Sequence, residues 1–253
     1  MESIRIETRD GMAIMQMLHG KANTLDLEFC QQLMDALTAL AGSTRALVLT
    51  GTGSIFSAGV DLMRIQADGP PYIQRFVPMI TKLVRALFEF PSPLVAAVNG
   101  HAVAGGCVMA CAADYRLMAR SQVRIGVPEL RVGVPFPTAA LEMIRFVVPP
   151  HKLHTVVYGG AKYLPEEALE FGLVDEVTDA DVLLERAWAV ARQLADLPRA
   201  AFALTKQQLR TPVLQRIAAG AAHDAEVERM WQQPETLQRV RSYVEQTFKP
   251  RTV

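Results

Sequence analysis

The chain opens on an alternation of apolar and polar residues, Ile4-Arg5-Ile6-Glu7-Thr8-Arg9, the period-two signature of a half-buried strand. Asp10-Gly11 suits a two-residue hairpin turn, and Met12 to Leu18 supplies the returning strand. After His19-Gly20-Lys21-Ala22-Asn23 the period becomes helical. Phe29, Leu33, Leu37 and Leu40 recur every three or four residues, with Thr24 or Asp26 placed to cap the start. Two continuous apolar runs, Ala46 to Thr50 and Pro93 to Val98, read as strands buried on both faces. Between them Gly51 to Leu62 is a loop rich in Gly and Ser. Asp68-Gly69-Pro70-Pro71 then breaks the chain, and Tyr72 to Phe90 forms an amphipathic helix ended by Pro91.

The second buried strand leads through Asn99-Gly100-His101-Ala102-Val103-Ala104 into a helix from Gly105 to about Ala113. Asp114–Ala119 and Val123–Gly126 read as further short strands. Helical patterns follow over Thr138–Val148, His151–Tyr158 and Pro165–Phe171. A strand-like Leu173-Val174-Asp175-Glu176-Val177 precedes four more helical stretches, near 180–196, 199–210, 213–232 and 235–247. The pattern predicts an α/β fold whose last third is helical, with no linker or low-complexity run.

Composition narrows the function classes. Of 253 residues, 50% are apolar and 21% charged, enough to build a large core and too apolar for disorder. Lys plus Arg equals Asp plus Glu at 26 each, so nothing marks a general binder of nucleic acid or membrane surfaces. Three cysteines, Cys30, Cys107 and Cys111, form no metal-ligand spacing and read as core thiols of a reducing compartment. Met1-Glu2-Ser3-Ile4-Arg5 lacks the apolar run of a signal peptide and no stretch is apolar enough to span a bilayer, so a cytoplasmic protein is expected.

Two strand ends carry the candidate chemistry. Gly105-Gly106 falls where the first N–H groups of a helix lack intrahelical acceptors, so an oxygen can approach them closely; the same pair also suits close helix–strand packing. The Gly51–Leu62 loop is neither a P-loop nor a dinucleotide fingerprint, because neither a Gly-Lys-Ser/Thr nor a third Gly with an immediate helix follows. Ser54 and Ser57 lie outside any Gly-x-Ser-x-Gly motif, which sets a nucleophilic serine aside.

The ordered set is more specific than any part of it. Ala58-Gly59-Val60-Asp61-Leu62, Pro93 to Gly100, Ala104-Gly105-Gly106-Cys107, Asp114-Tyr115-Arg116, Pro165-Glu166-Glu167-Ala168 and Gly172-Leu173-Val174 together resemble the crotonase (enoyl-CoA hydratase/isomerase) superfamily over nearly the whole chain. The resemblance implies a spiral of repeated strand–strand–helix units over residues 1–195 and a helical region over 196–253 that makes trimers or paired trimers. It also implies an acyl-CoA thioester substrate, with no cofactor beyond the coenzyme A that the substrate carries. The backbone N–H groups of Val60 and Gly105 would be the oxyanion donors. Lys21, Ala22, Ala58, Asp61, Leu62, Gly106, Val108 and Pro128 would contact the substrate or its coenzyme, and the acyl pocket is sought in 63–90 and 134–146.

Departures from the family pattern point to the reaction. Hydratases of the family carry two glutamates; here the first position is Val108 and the second is Glu129, in Pro128-Glu129. Adding water takes one group to activate it and another to protonate carbon, whereas moving a double bond takes one base that shuttles a proton. The pattern therefore resembles the single-glutamate Δ3,Δ2-enoyl-CoA isomerases, with a hydratase or another crotonase reaction as the alternative. Among rival acids, Asp114 is expected to hold backbone, Asp61 to support its loop and Glu142 to be solvated. His101 is expected to be a hydrogen-bonded structural imidazole. RNA-binding members of the superfamily use a basic N-terminal helix, but Asp26 to Asp35 holds no Lys or Arg.

Overall fold

A computed structural model describes residues 3–248 of the chain. Met1 and Glu2, where the leader was sought, and the last five residues of the 196–253 region lie outside the described residues. Asp10 and Gly11 take positive φ, 54° and 71°, as a type I′ turn requires. Strands β1 (Ile4–Arg9) and β2 (Met12–Met17) therefore pair antiparallel. β1 lies at the sheet edge and is exposed from Arg5 onward, Ile6 included, where the alternation predicted one buried face.

After β3 (Thr24–Leu25), Asp26 rather than Thr24 caps α1 (Leu27–Ala41), its carboxylate accepting from the Phe29 N–H at 2.7 Å. The four apolar residues of the helical pattern are all buried. The chain continues through β4 (Leu47–Thr50), β5 (Ile55–Ser57), β6 (Gly59–Val60) and α2 (Leu62–Phe88). α2 starts ten residues earlier than predicted. Gly69, at φ 61° and ψ −152°, kinks it instead of ending it. Then come β7 (Leu94–Val98), β8 (His101–Val103), α3 (Gly105–Cys111), β9 (Tyr115–Arg120), β10 (Ile125–Gly126) and α4 (Glu129–Val132). Next are α5 (Thr138–Val147), α6 (Pro150–Gly159), β11 (Lys162–Tyr163), α7 (Pro165–Glu170) and β12 (Glu176–Asp179). The last described elements are α8 (Leu183–Ala195), α9 (Arg199–Ala219), α10 (Ala221–Trp231) and α11 (Pro234–Phe248). α9 runs through Pro212, where a break was expected, and the chain turns at Gly220.

Strands recur in pairs that serve two sheets. β4, β7 and β9 enter a six-stranded sheet of order β1-β2-β4-β7-β9-β12, while their successors β5, β8 and β10 enter a four-stranded sheet of order β11-β10-β8-β5. Each pair is followed by a helix, which is the strand–strand–helix repeat expected. The central strands of the large sheet, β4, β7 and β9, are buried on both faces. Val48, Val95, Ala97 and Leu117 pack on α8 through Leu183, Ala187 and Trp188. Leu47, Leu49, Leu94 and Ala96 face the main core with α1, α2 and α3.

The C-terminal helices fold back on this chain. Val213, Ile217, Val227, Trp231 and Val240 join the main core, while Leu204 and Leu209 of α9 stay exposed. α9 is pinned by charge as well. Asp114 accepts from Leu94 N–H at 2.8 Å, as expected of a residue holding backbone, and also from Lys206 and Arg210 at 2.6 Å each. Arg210 further donates to the Phe88 carbonyl. Burial pulls Lys206 down to about 8 despite its acidic partner. Glu142 corrects the sequence reading: it is buried, because α9 covers it, and pairs with Arg216 at 2.6 Å and Arg145 at 3.1 Å.

Candidate active site

Asn99 draws the two strand ends together. Its Oδ1 accepts from Gly51 N–H at 2.8 Å and its Nδ2 donates to the Gly53 carbonyl at 3.0 Å. The segments that follow, Ala58–Leu62 and Ala104–Gly105, consequently run side by side. Their approach leaves no room for a side chain. At Gly59, where φ is 81°, an added Cβ would lie 2.6 Å from the Val103 carbonyl and 2.9 Å from Gly105 N. Ala104 holds φ 53° and ψ −123°, a conformation that costs a non-glycine residue about 1–3 kcal/mol and aims the next N–H.

The backbone N–H groups of Val60 and Gly105 come close together at this point. Along a strand successive N–H groups alternate in direction. Asp61 N–H reaches the Leu25 carbonyl at 3.0 Å, so Val60 N–H turns the other way. Gly105 opens α3, whose first intrahelical donor is Val108, bonded to the Ala104 carbonyl at 3.0 Å. A Cβ built on Gly105 would stand 3.8 Å from Val60 N, which places the two amides as neighbours.

Val60 and Gly105 both line one cavity of about 430 Å³. Ala58, Asp61, Leu62, Val108, Pro128 and Glu129 are in its wall. Glu129, at the start of α4, is buried, and its Oε2 has no hydrogen-bond partner. Burial pushes its carboxyl up from 4.5 to about 8, opposed only by a bond from its own backbone. Asp61 is the other carboxylate of the wall, and it caps α2 by accepting from Arg64 N–H at 3.0 Å. Its expected role of supporting the loop is what the geometry shows.

Lys21, Ala22 and Gly106 lie outside the wall. Lys21 is exposed on its turn, and the Ala22 carbonyl accepts from Ala58 N–H at 3.0 Å, which lays that turn against the cavity rim. Gly106 is buried; a Cβ there would collide with the Ser57 carbonyl, so its glycine serves the packing of α3 on β5. The acyl-type wall comes partly from the expected segments, as Ile80, Val84, Val134 and Ala140. It also includes Trp231 and Tyr243 of the C-terminal helices, outside the segments 63–90 and 134–146 where the acyl pocket was sought. No spacing pattern signals a residue that arrives from 90 positions away. Trp231 is held there by an indole N–H bond of 3.0 Å to the Pro135 carbonyl.

His101 is bonded as expected, its Nδ1 accepting from Arg124 N–H at 3.0 Å. It nonetheless lines the cavity too, together with Arg124 and Lys162. Strand periodicity is the signal that finds it, since His101 and Val103 share the face of β8 that leads to Gly105.

Known proteins carry the same design. The chain is 32% identical over 208 residues to enoyl-CoA delta isomerase 1 of Rattus norvegicus, covering 81% of this chain and 72% of the relative. It is 28% identical to a crotonyl-CoA hydratase of Syntrophomonas wolfei, over 81% and 80% of the two chains. The crystal structure of human mitochondrial Δ3-Δ2-enoyl-CoA isomerase superposes with a TM-score of 0.93 at 26% identity, covering 97% of this chain and 98% of that one. The sequence profile of the enoyl-CoA hydratase/isomerase family matches residues 7–250, and on that match this chain belongs to the family, within the crotonase superfamily of enzymes.

Proposed function

We propose that this enzyme isomerises 3-enoyl-CoA to 2-enoyl-CoA, with Glu129 as the one proton carrier. The observation that supports it best is the cavity wall. It holds two carboxylates, Asp61 is committed to a helix cap, and Val108, at the position where the family resemblance expects the hydratases' other glutamate, lines the same wall without an acid. In this reading the thioester oxygen lies between the amides of Val60 and Gly105. The Glu129 carboxylate takes a proton from C2, and the C–H electrons move through the carbonyl carbon onto that oxygen. As the oxygen returns its charge, the double bond forms between C2 and C3, the C3–C4 π bond breaks, and its electrons take the proton back from Glu129 at C4. The two amides act in the enolate-like transition state, and losing one such donor typically costs about 10²–10³ in rate. Coenzyme A follows Ala58–Leu62, with Lys21 and Ala22 at the rim, and no cofactor is required.

Assembly into trimers is part of the proposal, with the exposed Leu204 and Leu209 of α9 within the contact. Light scattering should return three or six chain masses at micromolar concentration; a monomer overturns this part.

The reaction is tested by supplying 3-enoyl-CoA and 2-enoyl-CoA in parallel. The wild type should conjugate the first far faster than it hydrates the second. Fast formation of 3-hydroxyacyl-CoA would favour the hydratase reading that the Syntrophomonas relative's name suggests. Val108→Glu should introduce measurable hydration at a cost in stability, since a carboxyl replaces a side chain that is 1% exposed.

A further inference from the structure

The cavity has a basic end that the proposed reaction does not use. In the four-stranded sheet, Ile125 is paired with Ala102, and Gly126 with both Val103 and Lys162. That register puts Arg124 beside His101, and puts His101, Val103, Arg124 and Lys162 on one face, the face in the cavity wall. The Arg124 guanidinium donates to the Lys162 carbonyl at 3.1 Å. Among the described residues, neither Arg124 nor Lys162 is in an ion pair with a carboxylate. Burial first, and then the charges of Lys162 and Arg124, hold His101 below its usual range. With Nδ1 accepting from Arg124 N–H, its neutral ring carries a proton on Nε2 as a free donor.

We propose that His101, Arg124 and Lys162 form a subsite for a carboxylate at the far end of the acyl chain, which makes the enzyme selective for thioesters of dicarboxylic acids. The proposal rests on the isomerase reading above and names its substrate class. Arg124 and Lys162 are exposed to solvent at this end of the cavity with no carboxylate partner among the described residues, and Arg offers a planar pair of donors that fits a carboxylate. The coenzyme's own phosphates are the other anions of the substrate, and the proposed path of the coenzyme takes them to the opposite edge of the sheet. Coenzyme A follows Ala58–Leu62, which continues from β5 at one edge of the sheet, whereas Lys162 is on β11 at the opposite edge. Three strand spacings of about 4.8 Å, roughly 14 Å, separate these edges. His101 precedes the Ala104–Gly105 turn by the length of β8, roughly 10 Å at about 3.3 Å per residue. With bonds of about 1.5 Å, a chain on the order of six to eight carbons reaches from the oxyanion site to the cluster.

The test compares 3-enoyl-CoA substrates of six and eight carbons that end in a carboxylate or in a methyl group. The wild type should show at least a tenfold higher kcat/KM for one carboxylated member over its methyl-ended twin, carried by KM. Arg124→Gln with Lys162→Gln should reduce that preference at least tenfold, with circular dichroism confirming the fold. Calorimetric binding of the saturated twins reads the subsite without chemistry. If neither 3-enoyl substrate turns over, the isomerase reading fails and the binding ratio alone decides the subsite. Equal affinity for the two twins, or an equal loss for both in the double variant, overturns the proposal, the latter by assigning the cluster to the coenzyme.

Discussion

Glu129→Gln is expected to cut turnover of a 3-enoyl-CoA by about 10²-fold or more while coenzyme thioester binding and the fold survive. The amide keeps the shape of the side chain but cannot take a proton from C2, and the cavity wall offers no uncommitted second carboxylate. Steady-state kinetics with product identification measures the loss; a variant retaining most of its activity would remove Glu129 as the base. The wild-type pH profile is a companion test. Because burial raises Glu129 to about 8 and the ionised form is the base, kcat/KM should climb about tenfold per pH unit below 8 and level off above it.

The same burial sets a stability trend. Between pH 4.5 and about 8 the folded chain holds a proton on Glu129 that the unfolded chain has released, so stability falls as pH rises through this window. The whole drop is on the order of 5 kcal/mol. Gln never ionises, so Glu129→Gln should gain stability relative to the wild type as the pH approaches 8. A catalytic group that costs the fold stability is what a base kept in a dry cavity implies.

Asp114→Ala is expected to be the most damaging single change away from the cavity, lowering stability by about 3–5 kcal/mol in urea denaturation. Asp114 is the shared acceptor of Lys206 and Arg210, both buried, and it also holds the Leu94 N–H at the start of β7. Its loss leaves two cations without their counter-charge in the core, a larger penalty than any exposed pair of this protein can incur. Combining Asp114→Ala with Lys206→Met and Arg210→Met should recover much of the deficit, because removing the stranded charges removes their desolvation cost. Failure of the triple variant to improve on the single one would mean that Asp114 acts through Leu94 alone.

Local sequence determined the elements wherever a local rule was strong. The Asp10-Gly11 hairpin, the α1 stripe from Phe29 to Leu40 and the doubly buried strands β4 and β7 follow from turn chemistry and periodicity, which act over a few residues. The Gly105-Gly106 turn was legible for the same reason, whereas the pairing of Val60 with Gly105 as donors came from the family resemblance. Where the sequence reading departed from the fold, distant chain intervened. Pro212 does not end α9, because a proline's local penalty is outweighed when Val213 and Ile217 just after it are buried in the main core. Glu142 reads as a solvated helix residue until α9 brings Arg216 onto it.

What the sequence by itself determined about this protein is its family, its order of strand–strand–helix units and the residue types available at the two strand ends. Only the tertiary structure decided which of them act together. Burial raised Glu129 toward 8 and left its Oε2 without a partner, Asp61 was committed to a cap, and Trp231 and Tyr243 were delivered to the cavity from the far end of the chain. Sheet register likewise set His101, Arg124 and Lys162 on one face, although 61 positions separate the first from the last. Desolvation and convergence are properties of surfaces brought into contact, and no window of sequence contains both sides of such a contact.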